Sequence, residues 1–227
     1  MLKKINTLNW FDWLLISGIV LLNIIYSVLE GEADFTGVAA AVSGVVCVVL
    51  VAKGNILNYI FGVINVSLYA WISWKAQLYG DALLNALYYL PMQFAGWFLW
   101  FRKRESEESV TIITRRMNVK ERVWLAFISV TLTLLVGYLL SLAGDPQPYK
   151  DSATTVLSVI AMYIMVKAYM EQWALWVIVN MISIIMWLIL YYKGAEHAML
   201  MVIMWVAYLA NSINGWIVWH RLSKHQR

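Results

Sequence analysis

Trp173, Trp176 and Asn180 stand at i, i+3 and i+7 in the apolar stretch WALWVIVN. That spacing puts two indoles and an uncharged amide on one face of a helix. Further amides, Asn65, Gln93, Asn211 and Asn214, lie in equally apolar surroundings. Amides donate and accept hydrogen bonds without carrying charge. Aromatic faces attract delocalised cations, by about 0.5–2 kcal/mol per contact. Other chemistries lack their residues: Asp81, Glu171, Glu196 and His197 all fall at the ends of apolar runs. Without a nucleophile–base pair or metal ligands, the pattern argues against an enzyme, and no cofactor or metal is expected. Proton coupling needs a titrating group inside the run, and a phosphate-bearing solute needs Arg or Lys. The chemistry that is left suits a polar, ring-containing molecule.

The elements that must position these groups are membrane spans. The chain has 227 residues, 62% of them hydrophobic and 13% charged. A soluble domain carries roughly 25% charge. The apolar runs are about 20 residues long, the length of a bilayer-crossing helix. Eight spans are expected, at about 11–29, 33–52, 55–74, 79–101, 122–143, 151–169, 171–192 and 195–219. The protein is therefore expected to be an all-α integral membrane protein. Its net charge of +4 points to loop orientation and not to nucleic acid. Cys47, the single cysteine, cannot form an intramolecular disulfide. Lys3 and Lys4 precede an apolar stretch, but no small-residue cleavage site follows near Ser27–Gly31, so this segment is expected to be a retained helix.

Basic residues concentrate on one side. With the N-terminus inside, only Lys75, Lys150 and Lys193 fall outside, while the central segment RKRESEESVTIITRRMNVKE (102–121), expected to be a water-exposed linker, is inside and strongly basic. This is the positive-inside pattern with both termini cytoplasmic. The chain also repeats itself. YYLPMQFAGWFLW (88–100) aligns without a gap with AYLANSINGWIVW (207–219), matching Tyr89/Tyr208, Leu90/Leu209, Gly96/Gly215, Trp97/Trp216 and Trp100/Trp219. Spans 2–4 are thus a unit and spans 6–8 its copy, running in the same direction because span 5 intervenes. The organisation is 1 + (3+1+3): an extra first helix (1–32), a repeat (33–101), the charged linker (102–121), a connector (122–150), the second repeat (151–219) and a tail (220–227). At 1.5 Å per residue, Asn180, Gln93 and Asn211 lie about 13 Å from the cytoplasmic end of their spans, and Asn65 about 18 Å. These are near-midplane depths in a core about 30 Å thick. Amides at one level in duplicated helices are expected to form a solute site, although each alone could serve as interhelical glue.

Most tryptophans, including Trp10, Trp13, Trp100 and Trp219, are expected at the membrane interface, which is also the default for Trp173. Trp97 and Trp216 each follow a glycine, so the glycine can admit a close helix while the indole fills the gap. Pro91 bends span 4 and is the hinge candidate. Gly37, Ala41 and Gly44 of span 2 are expected at a close helix contact.

The stretches AKGNILNYIFGVINVSLYAW (52–71), LYGDALLNALYYLPMQFAGWFLW (78–100) and WALWVIVN (173–180) resemble the PnuC family of vitamin transporters, over about 34–219. That family is similar in architecture to the SWEET sugar transporters. The resemblance implies a homotrimer in a bacterial inner membrane that moves nicotinamide riboside by facilitated diffusion. The family's W-x-x-W-x-x-x-N motif is matched by Trp173, Trp176 and Asn180, and its P-x-Q-x-x-G-W motif by Pro91, Gln93, Gly96 and Trp97. By implication the tryptophans flank the nicotinamide ring and Asn180 and Gln93 bond the carboxamide or ribose, with Asn65, Asn211 and Asn214 completing the level. A sugar, or another vitamin such as thiamine or riboflavin, is the alternative cargo.

Overall fold

The computed structural model describes residues 8–30, 35–75, 82–104, 112–144, 148–192 and 198–225. Among them are eight helices. They are α1 Trp10–Glu30, α2 Phe35–Ala52, α3 Asn58–Lys75, and α4, whose π-helical part Leu84–Tyr89 continues as the α-helix Leu90–Arg102. Then come α5 Val119–Leu142, α6 Pro148–Val166, α7 Gln172–Tyr192 and α8 Ala198–His225. They match the eight expected spans. The expected span starts at 33–34, 79–81 and 195–197, linker residues 105–111, and Lys3, Lys4, Lys193 and Arg227 lie outside the described residues.

The surface explains why helices are the only sensible element. Phe35, Leu87, Val119, Leu142 and Tyr192 are among many large apolar side chains left exposed. Only 11% of the apolar window of α5 is buried within the protein. A helix that is apolar on its outer face is stable when its solvent is lipid, where every backbone group must bond internally.

The chain divides into two compact units, Met1–Ile113 and Thr114–His225. In the first, α1 packs on α2, α2 on α3 and α3 on α4; in the second, α5 packs on α6, α6 on α7 and α7 on α8. The duplication seen in the sequence reappears atom by atom in the turns. Helix α2 ends with Gly54 in the left-handed region at φ 63°. There Gly54 N donates to Val51 O and Asn55 N to Leu50 O. Helix α6 ends with Ala168 at the same φ, with Ala168 N donating to Met165 O and Tyr169 N to Ile164 O. Both are Schellman ends. Register then continues: Tyr59 N donates to Ile56 O and Trp173 N to Met170 O. Lys53, Gly54, Asn58 and Tyr59 are thus the counterparts of Lys167, Ala168, Gln172 and Trp173.

The helices that lead each unit also share a design. Asn9 caps α1, accepting from Phe11 N and Asp12 N, while Asp12 Oδ2 accepts from Asn9 N at 2.6 Å. Asn118 and Glu121 form the same reciprocal box at the start of α5. This box explains why α5 begins at Val119 and not at the expected 122. Each leading helix is also tied by an ion pair to the turn of its own unit. Lys53 Nζ lies 2.6 Å from Asp12 Oδ2, with both side chains fully buried, and Arg122 Nη2 lies 2.9 Å from Glu171 Oε1. Span 1, set outside the duplication by its sequence, carries the same two devices as the connector.

The expectation of a water-exposed linker needs correction over 112–118. Ile112 and Thr114 are buried. Ile112 N donates to Gly54 O at 3.1 Å, Arg115 N to Ala168 O at 2.8 Å, and Met170 N to Arg115 O at 3.0 Å. The carbonyls left over at the two Schellman turns are satisfied by this extended segment.

Candidate functional site

In the first unit the site residues meet where α3 faces α4. Gln93 is 5% exposed and rests against Gly62, where a Cβ would fall on its amide. One turn along, Tyr59 rests against Gly96, where a Cβ would fall on the phenol. The Tyr59 ring meets Trp100 edge-on, at 5.0 Å between centroids and 81°. Each helix thus supplies one glycine and one large side chain to the other. Gln93 Oε1 and Tyr59 Oη, both buried, have no hydrogen-bond partner among the described residues. Asn65 points elsewhere: its Nδ2 donates to Ala40 O of α2 at 2.8 Å, in the space left by Gly44. That fulfils the close-packing role expected of Gly44 and ties Asn65 to α2.

In the second unit the arrangement recurs with other side chains. Trp173 is 3% exposed and lies on Gly215, its ring 5.9 Å from that of Trp219 at 77°. Its indole N–H is without a partner among the described residues. Asn180 is buried and donates from Nδ2 to Ser212 Oγ at 2.9 Å. Ser212 is the counterpart of Gln93 in the repeat alignment. Asn211 is buried and Asn214 half-buried. Trp176 is half-buried and packs on the apolar cluster of Leu157, Ala161, Leu175 and Val179. The stripe 173–176–180 therefore does not act as one face: Trp173 and Asn180 engage α8, and Trp176 engages the cluster that α6 and α7 build.

Several tryptophan expectations change. Trp100 and Trp219 are completely buried, so neither is an interfacial belt residue, whereas Trp10 and Trp13 are exposed as expected. Trp173 is buried too. The gaps opened by Gly96 and Gly215 are filled by Tyr59 and Trp173, while Trp97 is half-buried and Trp216 exposed. Sequence reasoning missed Tyr59, whose only signal is its register with Trp173 after the paired lysines. Pro91 is exposed and follows the π-helical turn directly, where Leu90 N donates to Asn85 O. The wider turn supplies an alternative backbone register just before a residue that has no N–H and crowds the preceding turn.

A cavity of about 770 Å³ lies in the second unit, reached by α5, α6, α7 and α8, and none of the expected site residues lines it. Among the described residues no cluster of metal-ligating side chains occurs.

Comparison with known proteins bears on the family and the fold. The family model described as nicotinamide mononucleotide transporter matches residues 34–221. A nicotinamide riboside transporter PnuC from Neisseria mucosa is 39% identical over 190 residues, covering 82% of this chain and 72% of the relative. One from Haemophilus influenzae is 34% identical over 203 residues, covering 88% and 85%. A crystal structure of the vitamin B3 transporter PnuC superposes with a TM-score of 0.80 at 33% identity, covering 99% of this chain and 98% of the other. The chain is a membrane transporter, not an enzyme, and belongs to the nicotinamide mononucleotide transporter family, among whose relatives are the PnuC proteins.

Proposed function

We propose that the protein carries nicotinamide riboside across a bacterial inner membrane by facilitated diffusion, as a homotrimer with both termini in the cytoplasm. Two cargoes come from the comparisons: the family description names the mononucleotide and the relatives are named for the riboside. The side chains favour the riboside. The amides and indoles at the proposed level bring no cation, and a phosphate would demand one. The observation that carries the reading is the buried Gln93 Oε1, which has no hydrogen-bond partner among the described residues. A buried acceptor without a donor costs about 1–3 kcal/mol, which a carboxamide N–H or a ribose hydroxyl recovers on binding. Asn180, Asn211 and Asn214 supply further amides and Trp97 an indole face; Asn65, bonded to α2, and Trp176, packed on the apolar cluster, brace the helices that carry the site, Trp173 holds α7 on α8, and Pro91 with its π-turn is the hinge.

The test is uptake into proteoliposomes containing only this protein. Riboside entry should follow its own gradient, without a proton or sodium gradient, and exceed that of the mononucleotide, thiamine, riboflavin or a hexose. Gln93→Ala and Asn180→Ala should each lower it about tenfold or more, the equivalent of one hydrogen bond to a buried partner. Wild-type rates in both variants would remove the site assignment.

A further inference from the structure

The cavity in the second unit has a shape and charge that the vitamin does not explain. Its α5 wall is one helical stripe, running from Arg122 through Ser129 to Leu134 at spacings of three and four residues. At 1.5 Å per residue the stripe is about 18 Å long. Leu157, Ala174, Ile178 and Trp216 face it from α6, α7 and α8, so the trough is apolar for most of its length. Ala126, Val130 and Leu134 on the α5 side are exposed, which leaves the trough open along its flank.

One end differs. Arg116, Arg122, Glu171 and His220 meet there. Arg122 shares its charge with Glu171. Arg116 is held by a hydroxyl, an imidazole and a carbonyl: Nε donates to Ser223 Oγ at 2.7 Å, and Nη2 to His220 Nδ1 at 2.6 Å and to His220 O at 3.3 Å. Its guanidinium is positioned by these contacts and not neutralised by them. Within the trough Ser129 Oγ is buried, with no hydrogen-bond partner among the described residues.

We propose that this groove binds one anionic phospholipid. Its phosphate sits at Arg116 and Arg122, an ester oxygen accepts from Ser129, and an acyl chain lies along Leu125, Val130 and Leu134. Basic pockets between membrane helices suit such headgroups. A small soluble phosphate would satisfy the cationic end and leave the long apolar trough wet. The proposal rests on the membrane setting alone and does not depend on the cargo.

Native mass spectrometry of the full chain, extracted from bilayers of equimolar phosphatidylglycerol and phosphatidylcholine, tests it. One phosphatidylglycerol per protomer should be retained in preference to phosphatidylcholine, and Arg116→Gln should cut that retention about fivefold, the worth of one basic side chain at an anionic headgroup. Ala126→Trp, which fills the groove and leaves every charge in place, should cut it similarly. Val123→Trp, on an exposed part of α5 that does not line the groove, should not. If Arg116→Gln fails to fold, Ala126→Trp against Val123→Trp decides. Equal retention of the two lipids, or undiminished phosphatidylglycerol in Ala126→Trp, overturns the proposal. Displacement of the lipid by millimolar inorganic phosphate would assign the mouth to a soluble anion and overturn it as well.

Discussion

Gln93 and Tyr59 share one helix contact but answer to different demands. The Gln93 amide is the free end of a flexible side chain against Gly62, and the Tyr59 ring is wedged between Gly96 and Trp100. Adding one methyl should separate the two roles. Gly62→Ala should displace the amide, lowering riboside uptake several-fold while thermal unfolding in detergent stays near wild type. Gly96→Ala should overpack a ring that cannot move, costing about 1–3 kcal/mol in the same unfolding assay. If both variants behave alike, the distinction drawn between them is wrong. At this scale the amides were legible, because a polar side chain inside an apolar run is conspicuous. Their partners were not. A helix turns about 100° per residue, so small errors in rotation reassign every neighbour. Asn65 proved to bond α2, Asn180 to bond Ser212, and Trp176 to leave the face of Trp173.

Among elements, the paired Schellman turns give the sharpest comparison. The same left-handed residue is glycine at position 54 and alanine at 168. A Cβ there costs roughly 1–2 kcal/mol. Gly54→Ala should therefore destabilise the first unit by about that amount. Ala168→Gly should be neutral or stabilising, the lost strain being set against about 0.4–1 kcal/mol of added unfolded-state entropy. Unfolding midpoints of the two variants moving the same way would contradict this. Span number and order were readable from runs of bilayer length. The start of α5 was missed because Asn118 and Glu121 read as polar linker residues, although their spacing is that of a capping box. The π-turn before Pro91 has no periodic signature in an apolar helix, so the proline alone was visible.

Over the whole molecule, two ion pairs in equivalent roles have very different surroundings. Lys53 and Asp12 are sealed, at 1% and 0% exposure, whereas the Arg122 side chain is 50% exposed. Lys53→Ala takes the counter-ion from a buried carboxylate and should cost about 3–5 kcal/mol. Arg122→Ala should cost about 1 kcal/mol or less, solvent screening having already weakened that pair. Denaturation of the two purified variants checks the ranking, and an equal loss would refute it. The repeat was legible because Gly-Trp pairs recur in register. The ion pair was not, because nothing in the spacing of Asp12 and Lys53 marks them as partners, and only the fold brings them together. The sealed pair bears on how short the chain can be made. The family match begins at residue 34, which invites expression of a trimmed core. Such a core would keep an ammonium whose counter-ion was discarded with α1, so trimming and Lys53→Met belong in the same gene.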